Sequence, residues 1–231
     1  MNWLIIVAGG SGSRMGSGLN KIFLKIQNKS ILYWTLSAFQ NNSSINKIVI
    51  SAKEADFPQI KKIIKKYHFD KCIGFSQGGE LRQDTVFNAL NFIKDQSKPN
   101  DIVGVHNAAN PFVSADEISS VYSAAKKYQA ALLAQPASST IKIADQNNFV
   151  SQSPKRELCF YAQTPQVARF DILYSSYQKI FEKNLITTDD AQVLELNGLK
   201  PKIIICSPNN FKITYPQDLI LAKYLLKSKQ L

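Results

Sequence analysis

Short apolar runs at residues 4–8, 47–52, 102–105, 130–134 and 202–206 have the length of strands, and amphipathic stretches of helical period lie between the first three. Residues 30–39 bring Ile31, Leu32, Thr35 and Leu36 near one face. Residues 60–67 and 83–93 behave alike, the latter presenting Val86, Ala89, Leu90 and Phe92. A helix between two strands carries the chain back so that the second strand runs parallel to the first. The alternation therefore predicts βαβ units and a mostly parallel sheet with helices on its faces. Open sheets of this kind bind ligands beyond the carboxyl ends of their strands. The loops after the apolar runs are thus the expected seat of any chemistry.

The first of those loops is the most telling. Leu4-Ile5-Ile6-Val7-Ala8 runs into Gly9-Gly10-Ser11-Gly12-Ser13-Arg14-Met15-Gly16, with Lys21 close behind. Glycine lets a backbone approach phosphate oxygens because no Cβ intrudes. Successive N–H groups in such a turn form a concavity for anions, and a nearby cation can neutralise charge that develops when a phosphoryl bond breaks. A plain structural turn is the alternative reading of the glycines, as an ordinary surface lysine is of Lys21.

The 231 residues fit one large α/β domain, and 45% hydrophobic content supplies its core. We expect a single unit over 1–231, with residues 137–155 as a projecting arm. The net charge of +11 suits nucleic acid, an anionic surface or phosphorylated substrates. Its lysines are scattered, however: Lys61-Lys62, Lys65-Lys66, Lys126-Lys127, Lys223 and Lys227 occupy separate segments. This reads as solvated helix faces, with no dedicated nucleic-acid surface. The 3 cysteines, Cys72, Cys159 and Cys206, are unevenly spaced and form no C-x-x-C pair, which fits a reducing compartment. The apolar runs are far short of a membrane span, and the first strand is not preceded by a basic stretch with a cleavable apolar segment, so no leader is expected. A soluble cytoplasmic protein is the expectation.

Residues 136–160 break the rhythm. Residues 140–143 and 149–150 are β-prone and flank Gln146-Asn147-Asn148, which reads as a projecting hairpin. A lone two-stranded arm is marginal in water, so it is expected to pack on something, such as a second copy of the chain. Residues 216–229 read as a closing helix with Leu219, Leu221, Ala222, Tyr224, Leu225 and Leu226 as core candidates.

Other polar loops stand out. Gly78-Gly79-Glu80-Leu81-Arg82-Gln83-Asp84-Thr85 suits a close-approach turn lining a base or ribose pocket, and equally an ordinary helix start. His106, in His106-Asn107-Ala108-Ala109-Asn110-Pro111, is either a base or, more readily, a structural histidine. With only 2 histidines in the chain, a His-built metal site or a Ser-His-Asp triad has little support. Thr187-Thr188-Asp189-Asp190-Ala191 looks like a threonine-capped helix start. Lys212 sits among hydrogen-bonding residues in Asn209-Asn210-Phe211-Lys212-Ile213-Thr214.

Taken in order, the segment 8–16 with Lys21, Gly78-Gly79 with Arg82 and Thr85-Val86, Gln163-Thr164-Pro165-Gln166, Thr188-Asp189-Asp190-Ala191 and Asn210–Thr214 resemble the 2-C-methyl-D-erythritol 4-phosphate cytidylyltransferases. The ribitol-5-phosphate cytidylyltransferases share most of these motifs. The resemblance implies a Rossmann-like nucleotidyltransferase fold, a homodimer with interlocked β-arms and magnesium-dependent catalysis. It implies transfer of a cytidylyl group from CTP to a polyol phosphate, whose phosphate attacks the α-phosphorus while pyrophosphate leaves. Methylerythritol phosphate, an isoprenoid precursor, is the expected acceptor. Ribitol 5-phosphate, or a non-catalytic CTP-binding role, is the alternative.

By the same resemblance Arg14 and Lys21 stabilise the charged transition state. Arg156, Lys212, Thr140, Thr164, Asn107 and Asn110 fall at the acceptor site, with Thr140 and Arg156 reaching across the dimer. Ala8, Gly9, Gly10, Gly12, Gly79, Glu80, Thr85 and Ala108 fall in the nucleotide pocket. The metal's protein ligands are not specified. Elementary electrostatics agrees: unit charges 4 Å apart repel by roughly 4 kcal/mol at an effective dielectric near 20. A site that joins a phosphate to a triphosphate therefore needs cations more than a general base. The chain departs from the family at Asn107 and Asn110, where Asp and Arg are usual, a paired change that reads either as an amide pair in place of an ion pair or as lower activity or another acceptor. It also carries Asn20-Lys21-Ile22 where Pro-Lys-Gln is usual, and Ser139 where an Asp precedes Thr140.

Overall fold

The computed structural model describes residues 1–10 and 20–228. In chain order its strands are β1 (Asn2–Val7), β2 (Lys25–Ile26), β3 (Lys29–Ser30), β4 (Lys47–Ala52), β5 (Cys72–Gln77), β6 (Ile102–Asn107), β7 (Ala130–Pro136), β8 (Ile143–Ala144), β9 (Val150–Gln152), β10 (Phe160–Arg169) and β11 (Lys202–Ile205). The helices are α1 (Ile31–Gln40), α2 (Phe57–Tyr67), α3 (Arg82–Ile93), α4 (Ala115–Tyr128), α5 (Phe170–Glu182), α6 (Asp190–Glu195) and α7 (Pro216–Ser228).

The main sheet has seven strands in the order β11-β7-β10-β6-β1-β4-β5. Its pairs are parallel except those made by β10, which runs antiparallel between β6 and β7. The alternation along each strand explains the two cores. On β1, Leu4 and Ile6 face one cluster while Trp3 and Ile5 face the other, and on β4 Ile48 and Ile50 oppose Val49 in the same way. A sheet buried on both faces needs apolar residues at nearly every position, which is why these strands read as continuous apolar runs. Leu32, Leu36 and Phe39 of α1, Ile60 of α2 and Ile118 and Val121 of α4 cover one face. Val86, Ala89, Leu90 and Ile93 of α3 cover the other with Leu173 and Tyr177 of α5. A third cluster joins Ile26, Ile31, Ala109, Phe112 and Ile213 to Ala222 and Leu226 of α7.

The expected strands and helices are all present, with adjusted ends: β1 stops at Val7 and β11 at Ile205. Four substantial elements went unread in the sequence: β5, β10, α4 and α5. Phe92 is exposed, its place on the inner face of α3 being taken by Ile93. On α7, Leu221 and Tyr224 face outward, while Ala222 and Leu226 are buried and Leu219 and Leu225 partly so. The cap of α6 is Asp189, which accepts from the Gln192 N–H at 2.9 Å; the Thr188 hydroxyl instead donates to Gln192 Oε1.

The arm is a hairpin, shorter than expected. β8 and β9 pair antiparallel, and residues 140–142 and Phe149 lie outside both strands. Asp145 Oδ1 accepts from the N–H groups of Asn147 and Phe149, each at 2.9 Å, and Asn148 takes φ 66°, so the turn is built from side-chain hydrogen bonding and a left-handed asparagine. Phe149 is 71% exposed.

Candidate active site

β1, β4 and β6 end side by side, and the segments that follow β1, β5 and β6 line a cleft there. Ala8 continues from β1 through its N–H to Ser51 O (2.7 Å), which delivers Gly9 and Gly10 to the cleft. Opposite them stands the wall formed by Gly79, Glu80 and Leu81. That wall is wound around two side chains of α3. Thr85 Oγ1 accepts from Gly79 N–H at 3.0 Å and donates to Leu81 O at 3.1 Å, while Asp84 Oδ2 accepts from Leu81 N–H at 2.9 Å. Gly79 is required there, since a methyl group on it would overlap Asp84 Cβ. Both sequence readings of this stretch hold together: it is a helix start and it lines the cleft. The Thr85 hydroxyl is committed to shaping the loop.

Lys21 lines the cleft from a 3-10 turn, Lys21–Phe23, and is 9% exposed. Asn20 caps that turn with its Oδ1 on Ile22 N–H, and its Nδ2 donates to Ala8 O (3.0 Å) and Asp56 Oδ2 (2.8 Å). The asparagine thereby ties Lys21 to the glycine loop, a role sequence reasoning did not give it. Lys212 lines the far wall with Thr214, and the Ile213 N–H to Ala109 O bond (2.8 Å) fixes their segment. Asn107 and Ala109 complete the floor.

Several expected site residues among those described do not line the cleft. Gly12 and Arg14 fall outside the described residues. Ala108 is buried behind its neighbours, its carbonyl accepting from the Thr35 hydroxyl at 2.9 Å. Thr164 is buried beneath the floor, where its Oγ1 accepts from Asn107 N–H at 3.3 Å and its carbonyl from Asn210 Nδ2 at 3.0 Å. Asn110 is 0% exposed and neither side-chain atom has a partner; its contact with Asn107 runs through the backbone (N–H to O, 3.1 Å). The expected amide pair is thus not formed. Thr140 and Arg156 stand on and beside the exposed arm, away from this chain's cleft, with Arg156 Nη1 3.5 Å from Ser138 O. His106 is fully buried with Nε2 2.9 Å from Asn110 O, and burial pushes its pKa down to about 4. It is neutral at physiological pH and structural.

Arg82, which sequence reasoning left out of the site, lines the cleft at the start of α3. Its Nη2 pairs with Asp190 Oδ2 at 2.5 Å, and Asp190 Oδ1 accepts from the Tyr177 hydroxyl at 2.6 Å. Burial works against the Arg82 charge, but the Asp190 carboxylate outweighs it and holds the guanidinium above its ordinary pKa. Burial, then Asp190, raises the Tyr177 phenol. Among the described residues no cluster of three or more His, Cys, Asp or Glu could hold a metal by itself. Backbone amides beside Lys21 and Lys212 suit an anion-rich ligand.

Residues 3–228 match the family model described as 2-C-methyl-D-erythritol 4-phosphate cytidylyltransferase. The chain is 40% identical over 226 residues to the protein of that name from Clostridium botulinum, covering 98% of this chain and 97% of the relative. It is 38% identical over 229 residues to the one from Alkaliphilus oremlandii, covering 98% and 95%. The crystal structure of the Francisella tularensis 2-C-methyl-D-erythritol 4-phosphate cytidylyltransferase is similar with a TM-score of 0.81 at 35% identity, covering 96% of this chain and 98% of that one. The structure of 4-diphosphocytidyl-2C-methyl-D-erythritol synthase from Anaerococcus prevotii is similar with a TM-score of 0.87 at 28% identity, covering 98% and 96%.

Proposed function

We infer the reaction and its residues from one premise: this chain belongs to the 2-C-methyl-D-erythritol 4-phosphate cytidylyltransferase family. It transfers the cytidylyl group of CTP to 2-C-methyl-D-erythritol 4-phosphate, giving the CDP-alcohol and pyrophosphate. The observation that carries the reading at this site is the cleft itself, where Gly9, Gly10 and Lys21 face the Gly79–Leu81 wall with Lys212 and Asn107 alongside.

In this reading the Gly79–Leu81 wall takes the cytosine and ribose, because its backbone is held open by Thr85 and Asp84. The amides of Gly9 and Gly10 receive the triphosphate. Lys21 supplies positive charge to the α-phosphoryl group as the acceptor's phosphate oxygen bonds to phosphorus and the bond to pyrophosphate breaks. Arg14 joins it by the family resemblance. No general base is required, since a phosphate monoester dianion is already a nucleophile, and the buried, neutral His106 is consistent with that. Lys212 holds the acceptor phosphate and Asn107 orients the polyol.

Magnesium fits this donor set as an ion that keeps most of its oxygens from substrate and water, with Glu80 and the Asn107 amide oxygen as the lining groups able to hold it. When bound, it neutralises the triphosphate and eases departure of pyrophosphate. We further propose a homodimer in which the arm delivers Thr140 and Arg156 to the partner's cleft. The exposure of Phe149, Val150 and Leu158 on this chain supports that reading. A cytoplasmic location is proposed as well; no helix among the described residues is long and apolar enough to cross a membrane.

The test is pyrophosphate release from CTP and magnesium with each polyol phosphate. Turnover with the methylerythritol ester is expected; preference for ribitol 5-phosphate would reassign the acceptor, and CTP binding without turnover on either would remove the catalytic reading.

A further inference from the structure

The wall that receives the base in the reading above is anchored at one end by an ion pair. Arg82 lines the cleft and pairs with Asp190, whose second oxygen takes the Tyr177 hydroxyl. Asp190 is itself buried and does not line the cleft. The next residue, Gln83, donates through Nε2 to Leu185 O (3.0 Å) and accepts through Oε1 from Thr187 N–H (2.8 Å). The segment so gripped is fixed from behind as well: Gln166 Nε2 donates to Asp189 Oδ2 (2.8 Å), and Ala191 N–H to Gln166 Oε1 (2.7 Å). The first turn of α3 is thus clamped to residues 185–191. That same turn carries Asp84 and Thr85, which shape Gly79 and Leu81.

We propose that Asp190, backed by Tyr177, is the positioning residue of the nucleotide end of the cleft: it fixes Arg82, and through Arg82 the Gly79–Leu81 wall. The inference rests on the reading of this cleft as a CTP site. Asp190 acts on nucleotide affinity without touching the nucleotide. Its two oxygens face Arg82 and Tyr177, and it is buried outside the cleft lining, so it does not reach a substrate there. The acceptor side, built from Lys212, Thr214 and Asn107, hangs on different bonds, among them Ile213 N–H to Ala109 O. Loss of the clamp should therefore separate the two substrates.

Asp190→Asn keeps the size of the side chain and an acceptor for the Tyr177 hydroxyl, and removes the charge that holds the guanidinium. Calorimetric titration with CTP should show a loss in affinity of tenfold or more, while the acceptor KM at saturating CTP moves less than twofold. Tyr177→Phe leaves the ion pair and should cost threefold or less. Should Asp190→Asn not fold, Arg82→Lys decides the matter by the same two constants, with a CTP loss of threefold or more. Wild type failing to bind CTP removes the nucleotide reading itself. Wild type binding CTP while the variant binds it equally well overturns the inference alone. Equal losses for CTP and acceptor with a lowered melting temperature would mean general destabilisation, and would overturn it too.

Discussion

Replacing Gly79 by alanine tests whether the cleft wall is held by close packing. The added carbon would overlap Asp84 Cβ and sit 3.2 Å from the Asp84 carbonyl carbon. Carbon atoms rest about 3.5–4.0 Å apart, so the loop or α3 must move by about 1 Å or more. Rotation of Asp84 cannot relieve the overlap, because the atoms met are its Cβ and its backbone. Movement pulls Asp84 Oδ2 from the Leu81 N–H it now holds at 2.9 Å. Overpacking costs about 1–3 kcal/mol and the lost cap about 1 kcal/mol. A total of about 2–4 kcal/mol lowers Tm by roughly 5–15 °C in a chain of this size. Gly10→Ala is the counterpart. No described atom lies within 4 Å of its added carbon, so stability should change by less than about 0.5 kcal/mol. The methyl group would stand where the triphosphate approaches, and CTP affinity should fall about tenfold or more, a change of about 1.4 kcal/mol. Scanning calorimetry and CTP titration read the two effects separately. A Gly79→Ala protein that melts with wild type, or a Gly10→Ala protein that binds CTP as wild type does, would refute the respective half of the reasoning.

His106 supplies a pH signature: its pKa is about 4 in the fold, against about 6.5 in an unfolded chain. Between those values the unfolded chain binds more protons, so stability falls as pH drops from 6.5 toward 4, by up to about 3 kcal/mol; urea melts of His106→Gln should lack that slope. For Asp101, burial opposes the charge, but hydrogen bonds from the amino terminus, Lys98 N–H and the Trp3 indole hold its pKa below the ordinary value. Its contribution is present above about pH 4 and is lost as pH falls through the depressed value. Asp101→Asn should therefore cost about 1–3 kcal/mol at pH 7 and progressively less in acid. Lys21→Ala should lower kcat by about 10²–10³ with CTP affinity less affected, whereas Lys212→Ala should raise the acceptor KM; the opposite pattern in steady-state kinetics would exchange their roles. Mixing Lys21→Ala with Arg156→Ala subunits should restore part of the activity, and no recovery would remove the shared-site arm.

The parallel sheet was legible because its buried strands are apolar on both faces. β5 escaped for the reverse reason: at the sheet edge all its residues but Ser76 are half-exposed or exposed, and Gly74 interrupts it. β10 escaped because Gln163 and Pro165 read as a loop; the register with β7 shifts between Ala162 and Gln166, where the proline is accommodated. α4 did carry a readable start, since Ser114 and Glu117 form a reciprocal cap. At the site, Gly9, Gly10, Gly79 and Lys21 could be found because a close backbone approach needs glycine and a phosphate needs a cation. Thr164 and Asn110 could not be placed, because whether a polar side chain faces a cleft or lies beneath it depends on long-range packing. Arg82 reads as an ordinary helix-start residue until Asp190, 108 positions away, is brought beside it.

The most direct measurement is a crystal structure of the protein with CTP and magnesium. The cytosine should lie against the Gly79–Leu81 wall, with the triphosphate on the Gly9 and Gly10 amides and Lys21 near the α-phosphoryl group. A nucleotide bound away from Gly10 and Lys21, or none bound at saturating concentration, would contradict the account.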